Sequence, residues 1–313
     1  MIAPTAPASP TGADPFRHPA LFYRGIDEYL AGTMPFVQEA LAVGDPVAVA
    51  VPGERLAWVR EALSGTAAHV RLLDMAEEGR NPGRILPGVL LAFAQEHGAA
   101  RVWIVGEPVW AGRSDAELPA CAEHEALINR AFAGRSAEIL CPYDVEALPA
   151  VVLADAERTH PVLIGRPRSA PYGPDEVLAD CNRPLPEPRG PVPTLVVDAA
   201  TLPSARALAV AEGERAGLRP DRVDDLVFVV NELVTNSLEH ARTTARLRVW
   251  AHDRHVVAEV ADAGRFDDLL AGRTPPLPEQ ARGRGLVLVH HLADLVRVHR
   301  TERGTTIRAH LRI

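Results

Sequence analysis

Apolar and polar residues alternate along the first half of the chain in a pattern that predicts buried strands separated by amphipathic helices. Three of the predicted helices have a proline in their first turn, a position that tolerates the missing N–H. The predicted strands are 46–51, 70–75, 101–105 and 137–141, and the predicted helices are 34–43, 54–63, 87–96 and 119–132. This alternation is typical of an α/β fold, a doubly wound domain with a mostly parallel sheet.

The second half of the chain follows a different order of predicted elements. The strands are 194–198, 245–252, 256–262, 296–301 and 305–313, and the helices are 204–216, 222–240 and 285–292. The two middle strands form a hairpin that turns at residues 253–254. This order predicts an α+β sandwich, with helices covering one face of a sheet.

A proline-rich segment separates the two patterns. Residues 160–193 contain nine prolines, a density that opposes long helices and central strands. We therefore predict a disordered tail at 1–15, a first domain at 16–165, a semi-rigid linker at 166–192 and a second domain at 193–313. The tail lacks the features of a secretory signal, and apolar runs such as 89–94 and 226–230 are too short to span a membrane. These features favour a cytoplasmic protein without a membrane segment.

The composition excludes several kinds of chemistry. All 33 basic residues are arginine, so a Walker P-loop, a eukaryotic-type kinase ion pair and a Schiff base, which each need lysine, are disfavoured. The formal net charge is −8, and the excess of acid lies in residues 1–192. A chain of this charge without a basic stripe is a poor binder of nucleic acids, whereas the near-neutral second half can accept an anionic ligand. The three cysteines lack C-x-x-C spacing, which favours reduced thiols.

Three segments of the second domain have the chemistry of a nucleotide site. Glu232 and Asn236 lie one turn apart on a predicted helix, which alone is typical of a solvated face. Asp262-Ala263-Gly264 then ends an apolar strand, and residues 282–286 form a glycine-rich turn before a helix. A strand-end carboxylate can accept a hydrogen bond from an amino group, free N–H groups at 283–286 can hold phosphates, and the Asn236 oxygen can bind Mg²⁺.

With Gly304-Thr305-Thr306 near the C-terminus, the order of these motifs resembles the GHKL ATPase superfamily, which has the Bergerat fold. Within that superfamily, N-E-L-V-T-N-S-L-E-H-A at 231–241 is similar to the RsbW-like anti-sigma factor serine kinases. The resemblance implies that Asn236 coordinates Mg²⁺, that Asp262 recognises adenine and that Glu232 is the general base. It further implies that the bound ATP is lined by Gly264, Gly283, Arg284, Gly285, Leu286 and Thr305.

The partners implied by this resemblance are a sigma factor, which is sequestered, and an anti-anti-sigma (STAS) protein, which is phosphorylated on serine.

The usual D-x-G-x-G motif has Phe266 in place of its second glycine, and residues 267–280 form a short, proline-containing lid. An anti-sigma scaffold that binds ATP or partners without catalysis is therefore the alternative. A histidine kinase is disfavoured because residues 161–239 contain no histidine. Proteins of this kind are often homodimers, although the sequence identifies no dimer interface.

The first domain resembles the MEDS (methanogen/methylotroph sensory) domain through three motifs. These are G-E-P-V-W at 106–110, H-E-A-L-I-N at 124–129 and C-P-Y-D at 141–144. The resemblance implies a sensor of small organic compounds, and the motifs fall where a ligand pocket of a parallel sheet would form. The candidate pocket residues are Glu107, Trp110, His124, Glu125, Tyr143 and Asp144; packing of the core is the alternative role for these side chains. His124 and Glu125 have no third metal ligand at a recognisable spacing.

Overall fold

The computed structural model describes residues 15–165, 171–241, 244–276 and 283–313. The strands of the N-terminal domain are β1 (Phe16–Arg17), β2 (Pro19–Tyr23), β3 (Val47–Val51), β4 (Arg71–Asp74), β5 (Val102–Gly106), β6 (Ala137–Asp144) and β7 (Val162–Leu163). Its helices are α1 (Gly25–Val43), α2 (Gly53–Leu63), α3 (Met75–Glu78), α4 (Pro82–Ile85), α5 (Leu91–Glu96), α6 (Leu118–Ala131), α7 (Ala150–Thr159) and α8 (Pro174–Cys181).

The N-terminal sheet has the order β4-β3-β5-β6-β2-β7, and β1 pairs with the start of β6. All its strand pairs are parallel. Every residue of β3 and β5 is buried, which is expected of strands covered by helices on both faces. The doubly wound parallel sheet predicted from the sequence is confirmed.

Several elements differ from the predicted pattern. Strands β1, β2 and β7 were not predicted: β1 and β7 have only two residues each, and β2 begins at Pro19, a residue that opposes a strand. Helix α1 begins at Gly25 and continues through Pro35, where the prediction began only at residue 34. The predicted helix at 87–96 is a π-helical turn, Leu86–Leu90, followed by α5.

The described part of the proline-rich linker, residues 171–192, contains a helix that the sequence did not predict. This helix is α8, and Pro174 occupies its first turn, where a proline costs no helical hydrogen bond. Val177 and Leu178 are buried in the N-terminal core. Asn182 then exchanges two hydrogen bonds with the backbone of Arg300 in the second domain, at 2.8 and 2.9 Å. This segment attaches the domains to each other, in contrast to the predicted spacer.

The C-terminal domain is an antiparallel sheet with helices on one face. Its elements are β8 (Thr194–Val197), α9 (Leu202–Ala216), α10 (Pro220–Asn236), β9 (Ala245–His252), β10 (His255–Asp262), α11 (Gly285–Leu292), β11 (Leu295–Thr301) and β12 (Gly304–Arg312). The sheet order is β11-β12-β10-β9-β8. On α10, Val223, Leu226 and Val230 face the sheet and are buried, as helical spacing predicts. The predicted α+β sandwich is confirmed.

The other face of this sheet carries an ionic ladder. Glu259 on β10 lies between Arg248 on β9 and Arg308 on β12, and its carboxylate accepts hydrogen bonds of 2.8 and 3.0 Å from their Nε atoms. All three side chains are buried. They can be buried because this face is turned toward the N-terminal domain and the segment that follows α8.

No helix within the described ranges combines the length and the apolar character that a membrane crossing needs.

Candidate functional site

Four motif segments of the C-terminal domain meet at one end of its sheet. Asp262 ends β10 and pairs with Thr305, the second residue of β12. Glu232 and Asn236 lie in the last turns of α10, and Gly285 begins α11. A Cβ atom at Gly285 would lie 2.3 Å from Glu232 Oε2, so the end of α10 touches the start of α11. The fold therefore gathers the predicted nucleotide residues into one site.

The carboxylate of Asp262 is held in a fixed orientation. Gly264 N donates to Asp262 Oδ1 over 2.7 Å, and the hydroxyl of Ser237 donates to Oδ2. Ser237 is buried in the π-helical turn Ser237–Ala241 that follows Asn236, and its hydroxyl also reaches the Leu233 carbonyl. Because both oxygens accept hydrogen bonds from the protein, the carboxylate is held in one orientation. A ligand can therefore approach it only from the side that these hydrogen bonds leave open.

The start of β12 passes very close to the end of β10. Gly304 has a φ of +152°, and a Cβ atom there would lie 2.1 Å from the Asp262 carbonyl oxygen. Only glycine fits this approach. Thr305 Oγ1 then donates to the Gly264 carbonyl over 2.8 Å, which ties the Asp262-Ala263-Gly264 turn to β12.

Glu232 lies at the N-terminus of α11. Its side chain is partly exposed, and Asn231 Nδ2 donates to Glu232 Oε1 over 3.4 Å. The free N–H groups at the start of a helix attract anionic groups. The arrangement leaves Glu232 Oε2 at the edge of the glycine-rich turn.

The donor set around Asn236 fits a magnesium ion. Its Nδ2 atom is buried and has no hydrogen-bond partner among the described residues, so the amide is not committed to the protein framework. Glu232, one turn earlier, offers carboxylate oxygens. Oxygen ligands with room for water are what Mg²⁺ prefers.

The glycine-rich turn is described from residue 283 onward. Gly283 has a φ of +88°, in the left-handed region that favours glycine. Arg284 is exposed and precedes α11, while Leu286 packs beside Gly272 and against the C-terminal core. Residues 277–282, which include Arg282 and the end of the predicted lid, lie outside the described residues.

Phe266, in the position of the missing glycine, is packed. Its ring lies against the C-terminal core, and the Arg300 guanidinium stands 5.4 Å from the ring centroid. A cation above an aromatic face is attractive. The substitution therefore fixes this turn to β11.

The described part of the predicted lid, residues 267–276, is docked on the N-terminal domain. Leu269 and Leu270 pack against the N-terminal core. Arg273 is buried and donates to Glu123 of α6 over 3.0 Å, while Arg300 binds the other carboxylate oxygen at 3.2 Å. One N-terminal carboxylate thus holds two segments that border the nucleotide site.

The far end of α11 is also held by the N-terminal domain. Asn81, fully buried, donates from Nδ2 to the carbonyls of His290 and Ala293 over 2.8 and 3.3 Å. Gly83 lies so close to the His290 ring that a Cβ atom there would be 2.1 Å from Nδ1. Burial, with Arg273 nearby, lowers the pKa of His290 well below its usual value.

Two of the predicted sensory residues, Glu107 and Asp144, meet at the carboxyl end of the parallel sheet. Arg55 joins them: its Nε lies 2.9 Å from Glu107 Oε1 and its Nη2 lies 3.2 Å from Asp144 Oδ2. The Tyr23 hydroxyl donates to Glu107 over 3.3 Å. Burial raises the pKa of Glu107 to about 8, against the opposing effect of Arg55.

Trp110 and His124 lie apart from that group. The Arg113 guanidinium stacks over the Trp110 indole at 3.8 Å, and Arg113 itself is buried among backbone carbonyls. His124 is buried on α6. These positions suit structural roles better than a shared ligand pocket.

Glu125 and Tyr143 line a cavity of about 780 Å³ between the domains. The opposite wall is the outer face of the C-terminal sheet, with Trp250, Val257 and Arg308, and the segment after α8 closes one side. A volume of this size suits a small organic ligand. The cavity combines residues of both domains, so the motifs of one domain alone could not predict it.

Sequence reasoning also missed Ser237, a small residue inside the N-E-L-V-T-N-S motif whose role depends on Asp262, 25 residues later.

Two family models match the chain, each over one of its two domains. The model of MEDS, the MEthanogen/methylotroph, DcmR Sensory domain, matches residues 17–161, and that of the histidine kinase-like ATPase domain matches residues 195–311. These matches confirm the predicted resemblances of the first domain to MEDS and of the second domain to the histidine kinase-like (GHKL) ATPases. None of the curated proteins compared with the chain matches it.

Two solved structures are similar to part of the chain. The RsbU and RsbW domains of Rv1364c from Mycobacterium tuberculosis are 22% identical, with a TM-score of 0.30, over 40% of this chain and 33% of that one. The SiaB–SiaC complex from Pseudomonas aeruginosa is 14% identical, with a TM-score of 0.32, over 38% of this chain and 88% of that one. The chain therefore spans about a third of the length of the first.

Proposed function

We propose that this chain, in which a MEDS domain precedes a histidine kinase-like ATPase domain, is a signal-responsive anti-sigma factor with serine kinase activity. It binds Mg·ATP, sequesters a sigma factor and phosphorylates a serine of an anti-anti-sigma (STAS) protein, and so controls transcription. The observation that carries the proposal is the meeting of Glu232, Asn236 and Asp262 at one end of the C-terminal sheet.

Each residue of the site has a separate task in nucleotide binding. Asp262, oriented by Ser237 and Gly264, accepts a hydrogen bond from the adenine amino group. The backbone N–H groups of residues 283–286, at the start of α11, bind phosphate oxygens. Asn236 holds Mg²⁺ through its amide oxygen, with Gly264 and Thr305 forming the wall near Asp262.

Glu232 supplies the base for phosphoryl transfer. Bound Mg²⁺ neutralises phosphate charge during the reaction. Glu232 accepts the proton of the partner's serine hydroxyl, whose oxygen forms the new bond to the γ-phosphorus while the bond to the β-phosphate oxygen breaks and ADP leaves. Its closeness to Gly285 supports this role, because the start of α11 is the phosphate end of the proposed site, where the serine must approach.

The MEDS domain controls this site through the segments that it holds. Glu123 binds Arg273 of the lid and Arg300 of β11, and Asn81 binds the end of α11. A ligand that binds one arrangement of the two domains more tightly increases the fraction of molecules in that arrangement. It thereby changes the fraction of molecules whose nucleotide site is active. The interdomain cavity, which both domains line, is the place for such a small-molecule signal.

The second candidate function is a scaffold that binds partners or ATP without catalysis. It is favoured by Phe266, which fills the place of a motif glycine and is packed under Arg300. The two candidates differ in one product, the serine phosphate on the partner.

Calorimetric titration of ATP into the full chain, with and without Mg²⁺ and in an Asn236→Ala variant, is the first test. Saturable binding that requires Mg²⁺ and is lost in the variant supports the site. Mass spectrometry of anti-anti-sigma proteins from the source organism, incubated with the chain and Mg·ATP, then tests transfer. A phosphoserine that Glu232→Ala abolishes supports the kinase. Binding without any phosphoserine favours the scaffold, and absence of ATP binding contradicts both the kinase and the nucleotide site.

A further inference from the structure

Four potential metal ligands meet inside the MEDS domain, next to the interdomain cavity. His18 lies between β1 and β2, Glu125 on α6, Cys141 on β6 and His160 directly after α7. Their donor atoms all lie within 4.8 Å of one another, and each residue is at most 2% exposed. We propose that this cluster binds one divalent transition metal ion, and that the ion is zinc.

Four of the six donor–donor distances within the cluster are close to those of a tetrahedral zinc site, and all six are at most 4.8 Å. His18 Nε2 and His160 Nε2 lie 3.3 and 3.4 Å from Glu125 Oε2, and Cys141 Sγ lies 3.5 Å from the same oxygen. His18 Nε2 lies 3.4 Å from Cys141 Sγ. Donors bound to zinc at about 2.0 to 2.3 Å in a tetrahedron are about 3.3 to 3.6 Å apart. One ion at the centre therefore reaches all four donors after small side-chain rotations.

Both imidazoles are oriented as metal ligands are. His160 Nδ1 lies 2.8 Å from the Ala156 carbonyl, which can only accept, so the proton is on Nδ1. His18 Nδ1 faces Asn129 Oδ1 at 3.2 Å, and the Asn129 amide is itself fixed because its Nδ2 donates to the Thr159 carbonyl. The Nε2 lone pairs of both rings consequently point at the Glu125 carboxylate. Ligand histidines are held in this way by a second hydrogen bond at the other ring nitrogen.

Two imidazole lone pairs and a buried carboxylate that face one another repel unless a proton or a metal cation lies between them. Among the described residues, Glu125 Oε1 and His160 Nε2 have no hydrogen-bond partner. Zn²⁺ with a thiolate, a carboxylate and two neutral imidazoles has no net charge, which removes the cost of burying an isolated ion. The mixed N, S and O donor set is typical of zinc sites.

The site also has a route by which an ion enters. Glu125 and its neighbour Tyr143 form part of the cavity wall, so the cluster is one side chain away from the interdomain space. A metal there would join the first and last segments of the MEDS domain, since His18 and His160 stand at its two ends. This role is independent of phosphoryl transfer in the C-terminal domain.

Metal content and cobalt spectroscopy of the full chain test the proposal. The purified chain is stripped with a chelator in mild denaturant, refolded and titrated with Zn²⁺ or Co²⁺. We expect one equivalent of zinc by elemental analysis and, with Co²⁺, the visible absorption of tetrahedral coordination together with a thiolate charge-transfer band. No uptake of either ion by the refolded wild type overturns the proposal.

Matched variants separate coordination from folding. Cys141→Ser should abolish the thiolate band, and Asn129→Ala, which releases His18, should weaken zinc binding about 10- to 100-fold. Cys121→Ser is the control: Cys121 is equally buried in the same domain, but its thiol faces the Pro108 carbonyl outside the cluster. Retention of the thiolate band in Cys141→Ser, or its equal loss in Cys121→Ser, contradicts the assigned ligands. If Cys141→Ser does not fold, the Asn129→Ala affinity decides the question.

Discussion

Glu123 of the MEDS domain and Arg273 of the lid form a buried ion pair of 3.0 Å that crosses the domain boundary. Both side chains are less than 10% exposed, and Arg300 binds the second oxygen of the same carboxylate. The pair therefore links the state of one domain to the position of a segment beside the nucleotide site of the other.

Removing this carboxylate should release the lid. Glu123→Ala leaves two arginines without their partner, and breaking a buried pair costs about 3 kcal/mol. We expect backbone amides in residues 267–276 to exchange hydrogen about 100-fold faster in the variant, measured by mass spectrometry. Glu96→Ala, which breaks an exposed pair with Arg71, is the control and should cost less than about 1 kcal/mol. Unchanged exchange in Glu123→Ala would show that the pair does not hold the lid.

Ser237 should contribute to nucleotide affinity without touching the nucleotide. Ser237→Ala removes one of the two hydrogen bonds that orient the Asp262 carboxylate. A hydrogen bond to a charged group contributes about 1.5 kcal/mol, so ATP should bind roughly tenfold more weakly by calorimetry. Ser204→Ala, at an exposed position near the start of α9, should leave the affinity unchanged. Equal affinities in all three proteins would mean that Asp262 is oriented by other contacts.

Gly285→Ala should reduce phosphoryl transfer by displacing the proposed base. The new methyl group would lie 2.3 Å from Glu232 Oε2, so the carboxylate must rotate away. We expect the transfer rate to fall at least about 100-fold, within the range by which a positioned base accelerates a reaction. Gly88→Ala is the matched control, because its Cβ would meet Arg84 only at an ordinary distance of 3.6 Å. A normal rate in Gly285→Ala would argue against Glu232 as the base.

Acid should loosen the contact between α11 and the MEDS domain through His290. Because the pKa of His290 is lowered in the folded chain, the unfolded chain binds this proton first, and stability is lost as the pH falls below about 6.5. Protonation would also place a second positive charge beside Arg273. In urea titrations between pH 7 and pH 5, His290→Leu should reduce the slope of unfolding free energy by up to about 1.4 kcal/mol per pH unit. His69→Leu, at an exposed histidine, should follow the wild type; a wild-type slope in His290→Leu would contradict the assignment.

The meeting of the proposed nucleotide residues could be predicted because they belong to short sequence motifs. Glu232 and Asn236 share a helix, and Asp262 and Gly285 stand at element ends that apolar periodicity locates well. Ser237 was missed because its hydroxyl matters only through Asp262, a partner that the fold supplies.

The sensory domain was harder to predict for a related reason. His18, Cys141 and His160 have no common spacing, and only the adjacency of strands from the two ends of the domain brings them to Glu125. The interdomain cavity and the docked position of the lid both depend on how the two domains pack. The residues on those surfaces show no periodic pattern of hydrophobic positions from which this packing could be predicted. The proline density of residues 160–193 correctly opposes long elements, but α8 is short enough to begin at one of those prolines.

The pairing of β2 with β7 has a consequence for biosynthesis. β2 opens the sheet near residue 19, whereas its neighbour β7 ends at residue 163, and both flank the histidines of the buried cluster. Contacts of such long sequence separation form late and slowly. During synthesis the N-terminal sheet therefore cannot be completed until residue 163 has left the ribosome. Until then the edge of β2 that pairs with β7 stays exposed, and an unpaired strand edge can pair with other chains.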